Sequence, residues 1–278
     1  MAAMTIQTEA TGLMARETAA LSLAAAFSPP GSSLSGAFRT GDNAPAIRGA
    51  WNYLEVLCME NGGDASFPAA DMDSLCRWIS MDADRRATAH REVFGLIASR
   101  ECSPYSTDYI PWDFSAHRAQ ALADIAGYYR AFGLAPDPGC PERPDHVSLE
   151  LEFTAFLLAK VRHAQGNEEH VDICSDALRS FFSNHPLWWM PAFAKCFERR
   201  AKLLSNGSAG ICADIKEYLA AGRLLRGWLA AEMTLLAAEP PQRPVALPAP
   251  GALPPEPEPL DCSSCPAAAG EAQGEGAQ

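Results

Sequence analysis

A run of apolar residues long enough to cross a bilayer is missing from these 278 residues. The longest near the N-terminus, 19–27, falls well short of the roughly 20 residues a spanning helix needs. It also makes a poor secretory leader, because residues 1–10 carry no cation and Glu17 stands just ahead of it. The chain is therefore expected to stay in the cytoplasm. An excess of positive charge is missing too: 22 Lys and Arg stand against 34 Asp and Glu, a net charge of −12. That balance argues against nucleic acid and against stable association with anionic membrane. It either favours a cationic partner or is the ordinary acidity of a soluble protein. A disulfide framework is not in view, since the nine cysteines are odd in number and scattered. They read as thiols of a reducing compartment.

Strand patterns are also absent. No alternating segment bounded by turn signals and no internal repeat occurs. Periodic segments read instead as helices over 15–27, 46–60, 71–79, 84–98, 115–132, 147–164, 168–182, 191–204 and 210–238. In the fifth of these, Leu122, Ile125, Tyr129 and Phe132 recur at three/four spacing, and Gly133 supplies a C-terminal stop. The expected fold is all-α, a single-domain helical bundle over 15–239 behind a flexible N-terminus at 1–14. Residues 240–278 hold 10 of the 22 prolines and a net charge of −4, from Arg243 against five carboxylates. Such a segment buries too little apolar surface to offset its ordering entropy, so it reads as a disordered, acidic tail.

Enzyme signatures are missing as well. There is no nucleophile elbow, phosphate loop, dinucleotide fingerprint or His-Glu-x-x-His zinc helix. Paired Glu-x-x-His elements for a di-iron bundle are absent, so neither catalysis nor a resident cofactor is expected. Cys262-Ser263-Ser264-Cys265 is the one Cys-x-x-Cys. It lies in the tail with no second pair, and reads either as a weak soft-metal site or as two exposed thiols.

Four features remain. The first is Arg143-Pro144-Asp145-His146-Val147-Ser148-Leu149-Glu150-Leu151-Glu152-Phe153, a polar loop turning into a helix. Asp145 suits the N-cap, which would start the helix at His146. Val147, Leu151, Leu158 and Val161 then share one apolar face. His146 and Glu150, four apart, share another; they form either a surface helix pair or half a metal site. The second is an aromatic loop over 103–114 holding Tyr105, Tyr109 and Trp112, too aromatic for a plain linker. The third is Tyr129 in the fifth helix. The fourth is the corner His185-Pro186-Leu187-Trp188-Trp189-Met190-Pro191-Ala192-Phe193 between two helices. There Trp189 and Phe193 anchor packing, while Leu187, Trp188 and Met190 either join the core or line an apolar groove.

Taken in order, these pieces resemble the TorD/DmsD/NarJ family. The resemblance is carried by Arg91-Glu92-Val93-Phe94-Gly95-Leu96, then 102–109, then 122–134, then Arg143-Pro144-Asp145-His146 with Glu150-Leu151-Glu152-Phe153. The spacing His185, Trp189, Pro191, Phe193 completes it, and the match runs over about 15–235. Two segments depart from it: Tyr105-Ser106-Thr107-Asp108-Tyr109 lacks one of the family's acidic side chains, and the Pro-rich tail lies outside the pattern.

The resemblance implies an all-helical cytosolic chaperone for molybdenum enzymes. Its partner would be the apo catalytic subunit of a molybdopterin oxidoreductase, often met at its twin-arginine signal peptide, and through it the molybdenum cofactor or the proteins that make it. The positions that match the family's binding residues are Tyr129, Pro144, Asp145 and His146, with Glu150 beside them. Physically, arginines seek planar carboxylates, which Asp145, Glu150 and Glu152 offer. An apolar leader seeks a groove walled by aromatic residues, for which Tyr105, Tyr109, Trp112, Tyr129 and Phe132 are available. The alternative from another class is a metal- or cofactor-handling protein using His146, Glu150, Cys262 and Cys265.

Overall fold

The computed structural model of the chain describes residues 2–30, 32, 43–95, 101–135, 142–206 and 211–246; for residues 2–8, 112, 211 and 212 it describes the backbone alone. The described residues are helical and contain no strand: α1 Ala2–Phe27, α2 Ala44–Glu60, α3 Ala69–Ser80, α4 Ala83–Phe94, α5 His117–Ala131, α6 Val147–Asn167, α7 Val171–Asn184, α8 Pro186–Ser205 and α9 Ile211–Leu236. Two short 3-10 turns, Ser106–Tyr109 and Trp112–Phe114, occupy the aromatic loop. The all-α expectation holds. The tail cysteines Cys262 and Cys265 lie outside the described residues. Five cysteines (58, 76, 102, 174 and 196) are buried free thiols. No helix among the described residues is long and apolar enough to cross a membrane.

α1 extends further towards the N-terminus than its apolar run requires; residues 2–14 hold no proline and include three Ala and two Met, which are good helix formers. Its alanines (19, 20 and 24–26) are fully buried, which lets neighbouring helices come close. α1 packs on α6 and on α2, while α9 packs on α8 and on α3. Where α8 meets α9, a Cβ on Gly222 would stand 2.6 Å from Phe197 Cδ1, so only glycine allows that approach.

The last carbonyls of α1 are orphaned by helix geometry and buried. Trp78 Nε1 donates to Ala26 O at 3.0 Å and Arg86 Nη2 donates to Ala25 O at 2.8 Å. A cation at a helix C-terminus also complements the dipole. Around them Phe27, Phe94, Phe193, Phe197 and Tyr218 pack edge to face and tilted, with Trp78 stacked on Tyr218 at 4.0 Å.

The Trp-rich corner is not a linker between helices. It forms the first two turns of α8, with Pro186 at the first position and Pro191 inside. A proline inside a helix costs about 3 kcal/mol. Burial of Trp188, Trp189, Met190 and Phe193 stabilises by about 1.5–3 kcal/mol each, which outweighs it. The corner is core, Leu187 included. At the end of α5, Gly133 takes φ +74° and its N–H bonds to Arg130 O, while Leu134 N–H bonds to Tyr129 O. The stop predicted from the sequence is found there.

Candidate functional site

The polar loop and the aromatic loop lie side by side. Ser106 N–H donates to Asp145 O at 2.9 Å and Val147 N–H to Pro104 O at 2.8 Å, forming an isolated antiparallel bridge between Tyr105 and His146. The two loops are therefore one unit, set at the N-terminus of α6.

Asp145 does not cap α6. The cap is His146, whose Nδ1 accepts from Ser148 N–H at 3.2 Å and lies 2.7 Å from the Ser148 hydroxyl. Asp145 is turned inward and is wholly buried. Its carboxylate accepts from Thr107 N–H at 3.0 Å, from the Thr107 hydroxyl at 2.8 Å and from Arg143 Nε and Nη2 at 3.0 and 2.8 Å. The Arg143 guanidinium stacks over the Tyr105 ring at 4.3 Å, and the Tyr105 hydroxyl donates to Glu142 at 3.0 Å. Arginine recognition by a planar carboxylate is present, but within the chain. Thr107 supplies the local acceptor and donor that spacing alone did not reveal. Arg143, two residues before Asp145 in a non-helical turn, was the legible signal.

Removal of this carboxylate strands a buried N–H. Asp145→Ala is expected to cost about 1–3 kcal/mol by urea unfolding; the Arg143 side chain, 42 % exposed, rehydrates and keeps the loss from being larger. Asp145→Asn, which still accepts from Thr107, should lose less. An alanine variant with parental stability would remove Asp145 from the role of loop clasp.

His146 and Glu150 are buried rather than a surface pair. Burial pushes the His146 imidazole down to about 3, helped by His90 and Arg143, so it is neutral at physiological pH. With Nδ1 accepting from Ser148 N–H, its Nε2 carries the proton. Glu150 Oε2 accepts from Trp189 Nε1 at 2.8 Å, and the Ser106 side chain also acts on the carboxyl as a hydrogen-bond partner. Burial raises the Glu150 carboxyl to about 8, against the lowering effect of the Trp189 N–H and the Ser106 side chain. Among the described residues no three His, Cys, Asp or Glu side chains cluster as metal ligands.

Tyr129 holds the loop from the α5 side. Its hydroxyl donates to Pro144 O at 2.8 Å and its ring meets Phe153 edge-on at 4.7 Å. Phe132, Phe156 and Phe181 extend this aromatic layer around Phe153. Tyr109 is fully buried against Trp189, its hydroxyl donating to Ser103 O. Tyr109 and Trp189 are thus support rather than open surface. His185 is buried beside Phe181 and Tyr128. Tyr105, Tyr129 and Pro144 stay half-buried, and Arg143 and Glu152 are exposed.

One segment completes the site. Residues 240–246, which composition assigns to the tail, lie along the body. Ala246 N–H donates to Tyr109 O at 2.8 Å, Arg243 Nη2 bonds to Asn184 O, and the Arg243 guanidinium sits 4.3 Å above the Trp188 ring. Val245 packs on the core. Arg243 is the one cation of residues 240–278, the signal by which it stood out. Elsewhere a depression of about 390 Å³ opens along the C-terminal half of α8, where Lys202 and Arg226 pair with Glu198.

Residues 66–195 match the nitrate reductase delta subunit family. A stretch of 76 residues, 27% of this chain, is 33% identical to the perchlorate reductase assembly chaperone protein of Dechloromonas aromatica (strain RCB). That alignment spans about a third, 34%, of the relative's own length. No solved structure matches the chain. The matched region contains both joined loops, the Glu150 helix and the Trp189 corner, and over it the chain is similar to the nitrate reductase delta subunit family, in keeping with the resemblance to the TorD/DmsD/NarJ chaperones.

Proposed function

We propose that this protein is a cytoplasmic chaperone, with no chemistry of its own, that binds the apo catalytic subunit of a molybdopterin oxidoreductase and assists its assembly before export. The observation that carries the reading is the family match across the joined loops, supported by the similarity to a protein named as a reductase assembly chaperone. The acidic body favours a cationic segment of the partner, and a twin-arginine signal peptide is such a segment. Its apolar part would lie along the half-buried Tyr105, Tyr129 and Pro144, with Glu152 exposed beside them. Asp145, His146, Glu150 and Tyr109, all buried, would set the shape of that surface rather than touch the peptide.

Calorimetry with the leader of a molybdopterin oxidoreductase encoded beside this gene tests the reading. Micromolar or tighter binding is expected, weakening with salt and at least tenfold weaker when the twin arginines are replaced by lysines. Equal binding of the two peptides, or of neither, rejects the leader-binding form. Co-purification with the apo subunit lacking its leader then decides whether the mature part is the partner.

A further inference from the structure

The segment 241–246, which lies on the Trp188 corner, is lightly held. Pro241 and Pro244 have no amide hydrogen to give. The hydrogen bonds that join the segment to the body are the Ala246 N–H to Tyr109 O and the Arg243 side chain to Asn184 O. Arg243 makes the most of its position. Its guanidinium lies flat over Trp188 and bonds a carbonyl at the end of α7; burial there works against its charge, and the Asp124 carboxylate of α5 partly offsets that. A flat ring, a carbonyl acceptor and a nearby carboxylate form a set that suits a planar, delocalised cation better than an ammonium.

The Asp124 charge is not spent elsewhere. His185 Nε2 stands 3.2 Å from it, but burial keeps that imidazole neutral at physiological pH, with a value of about 4. The Trp188 indole N–H has no hydrogen-bonded partner, so the ring is held by packing and presents its face.

We propose that Trp188, the Asn184 carbonyl and Asp124 form a guanidinium-binding seat which this chain fills with its own Arg243, and that an arginine of the partner peptide binds by displacing it. The proposal rests on the reading of the partner as an arginine-bearing peptide. Residues 241–246 then act as a competitor in cis: they shield Trp188 until a segment carrying arginine arrives, and they reject segments without one. The parent protein binds more weakly by the fraction of time the seat is empty, and removal of Arg243 restores the full affinity.

The test uses the full-length chain, its Arg243→Ala variant and an Arg243→Ala/Asp124→Asn double variant, titrated with N-acetyl-arginine amide and N-acetyl-lysine amide. Asp124 is more than half exposed, so its replacement leaves folding intact. The arginine amide is expected to bind Arg243→Ala about tenfold more tightly than the parent, to lose that gain in the double variant, and to deprotect the Ala246 amide of the parent in hydrogen exchange. The lysine amide should do none of this. Equal affinity for parent and Arg243→Ala, or equal binding of the two amides, overturns the seat. If the arginine amide behaves as expected but the leader does not bind, the seat stands and the leader reading falls. If the leader binds parent and Arg243→Ala alike, the leader reading stands and the seat falls.

Discussion

At pH 9 a Glu150→Gln variant is expected to be more stable than its parent, and below pH 4.5 that advantage should vanish. Glu150 is fully buried, and its carboxyl is raised from 4.5 to about 8. The folded state therefore holds a proton that the unfolded state releases between pH 4.5 and 8. Over that window the unfolded chain binds fewer protons than the folded one, so folding stability falls as pH rises. At 1.36 kcal/mol per unit the loss reaches about 5 kcal/mol at pH 8 and then levels off. Glutamine keeps a carbonyl for the Trp189 N–H and never ionises. His146, His90 and His185, held neutral by burial with values of about 3, 4 and 4, act with the opposite sign. They withdraw stability as pH falls below 6.5, equally in both proteins, so they cancel in the difference. Urea unfolding of the pair from pH 4 to 9 measures it. A difference that stays flat with pH would show that Glu150 does not titrate inside the fold.

The second large effect lies far from the loops. Glu232→Ala is expected to cost about 3–5 kcal/mol, which in a domain of this size lowers Tm by roughly 10 °C. Arg16 of α1 donates from Nε at 3.1 Å and from Nη2 at 2.6 Å to the Glu232 carboxylate of α9. Glu232 is wholly buried and Arg16 nearly so. Removing one partner leaves an uncompensated buried charge, and the cost comes from that charge more than from the lost attraction. Replacing both, as Arg16→Met with Glu232→Leu, should recover most of the loss, because the desolvation of two ions disappears with the pair. A double variant as unstable as Glu232→Ala would mean that packing, not charge, dominates there.

The two sites share one theme: buried carboxyl groups are met across the bundle by partners the chain brings from elsewhere, Arg16 for Glu232 and the Trp189 N–H for Glu150. At the joined loops the same matching bears on the proposed function. Asp145 and Glu150 would both attract an incoming arginine if exposed, but Asp145 is engaged by Arg143 and Thr107, and Glu150 lies against Trp189. Under the proposed function, the half-buried Tyr105, Tyr129 and Pro144 and the exposed Glu152 are what remains for a partner to touch.

Much of this protein was settled by local pattern alone. The 3.6-residue period placed the apolar stripe of α6, and Val147, Leu151, Leu158 and Val161 are all buried. Gly133 ended α5 because only glycine adopts its φ of +74° without strain. In the aromatic corner Trp189 and Phe193 read as packing anchors from their size, and both are fully buried, whereas the sequence left Leu187, Trp188 and Met190 open between core and groove. These are short-range rules, and a sequence states them directly. Which charge meets which is a different kind of fact. Arg16 and Glu232 are 216 residues apart, Thr107 and Asp145 are 38 apart, and Arg243 reaches Trp188 only because the chain doubles back. An ionic or hydrogen-bonded match depends on distance in space and on the water removed around it, neither of which follows from spacing along the chain. So the helices, their apolar faces and the two distinctive loops were legible from the residues, whereas only the packed bundle decided that Asp145 is a clasp, that His146 is the cap, and that an arginine already sits on Trp188.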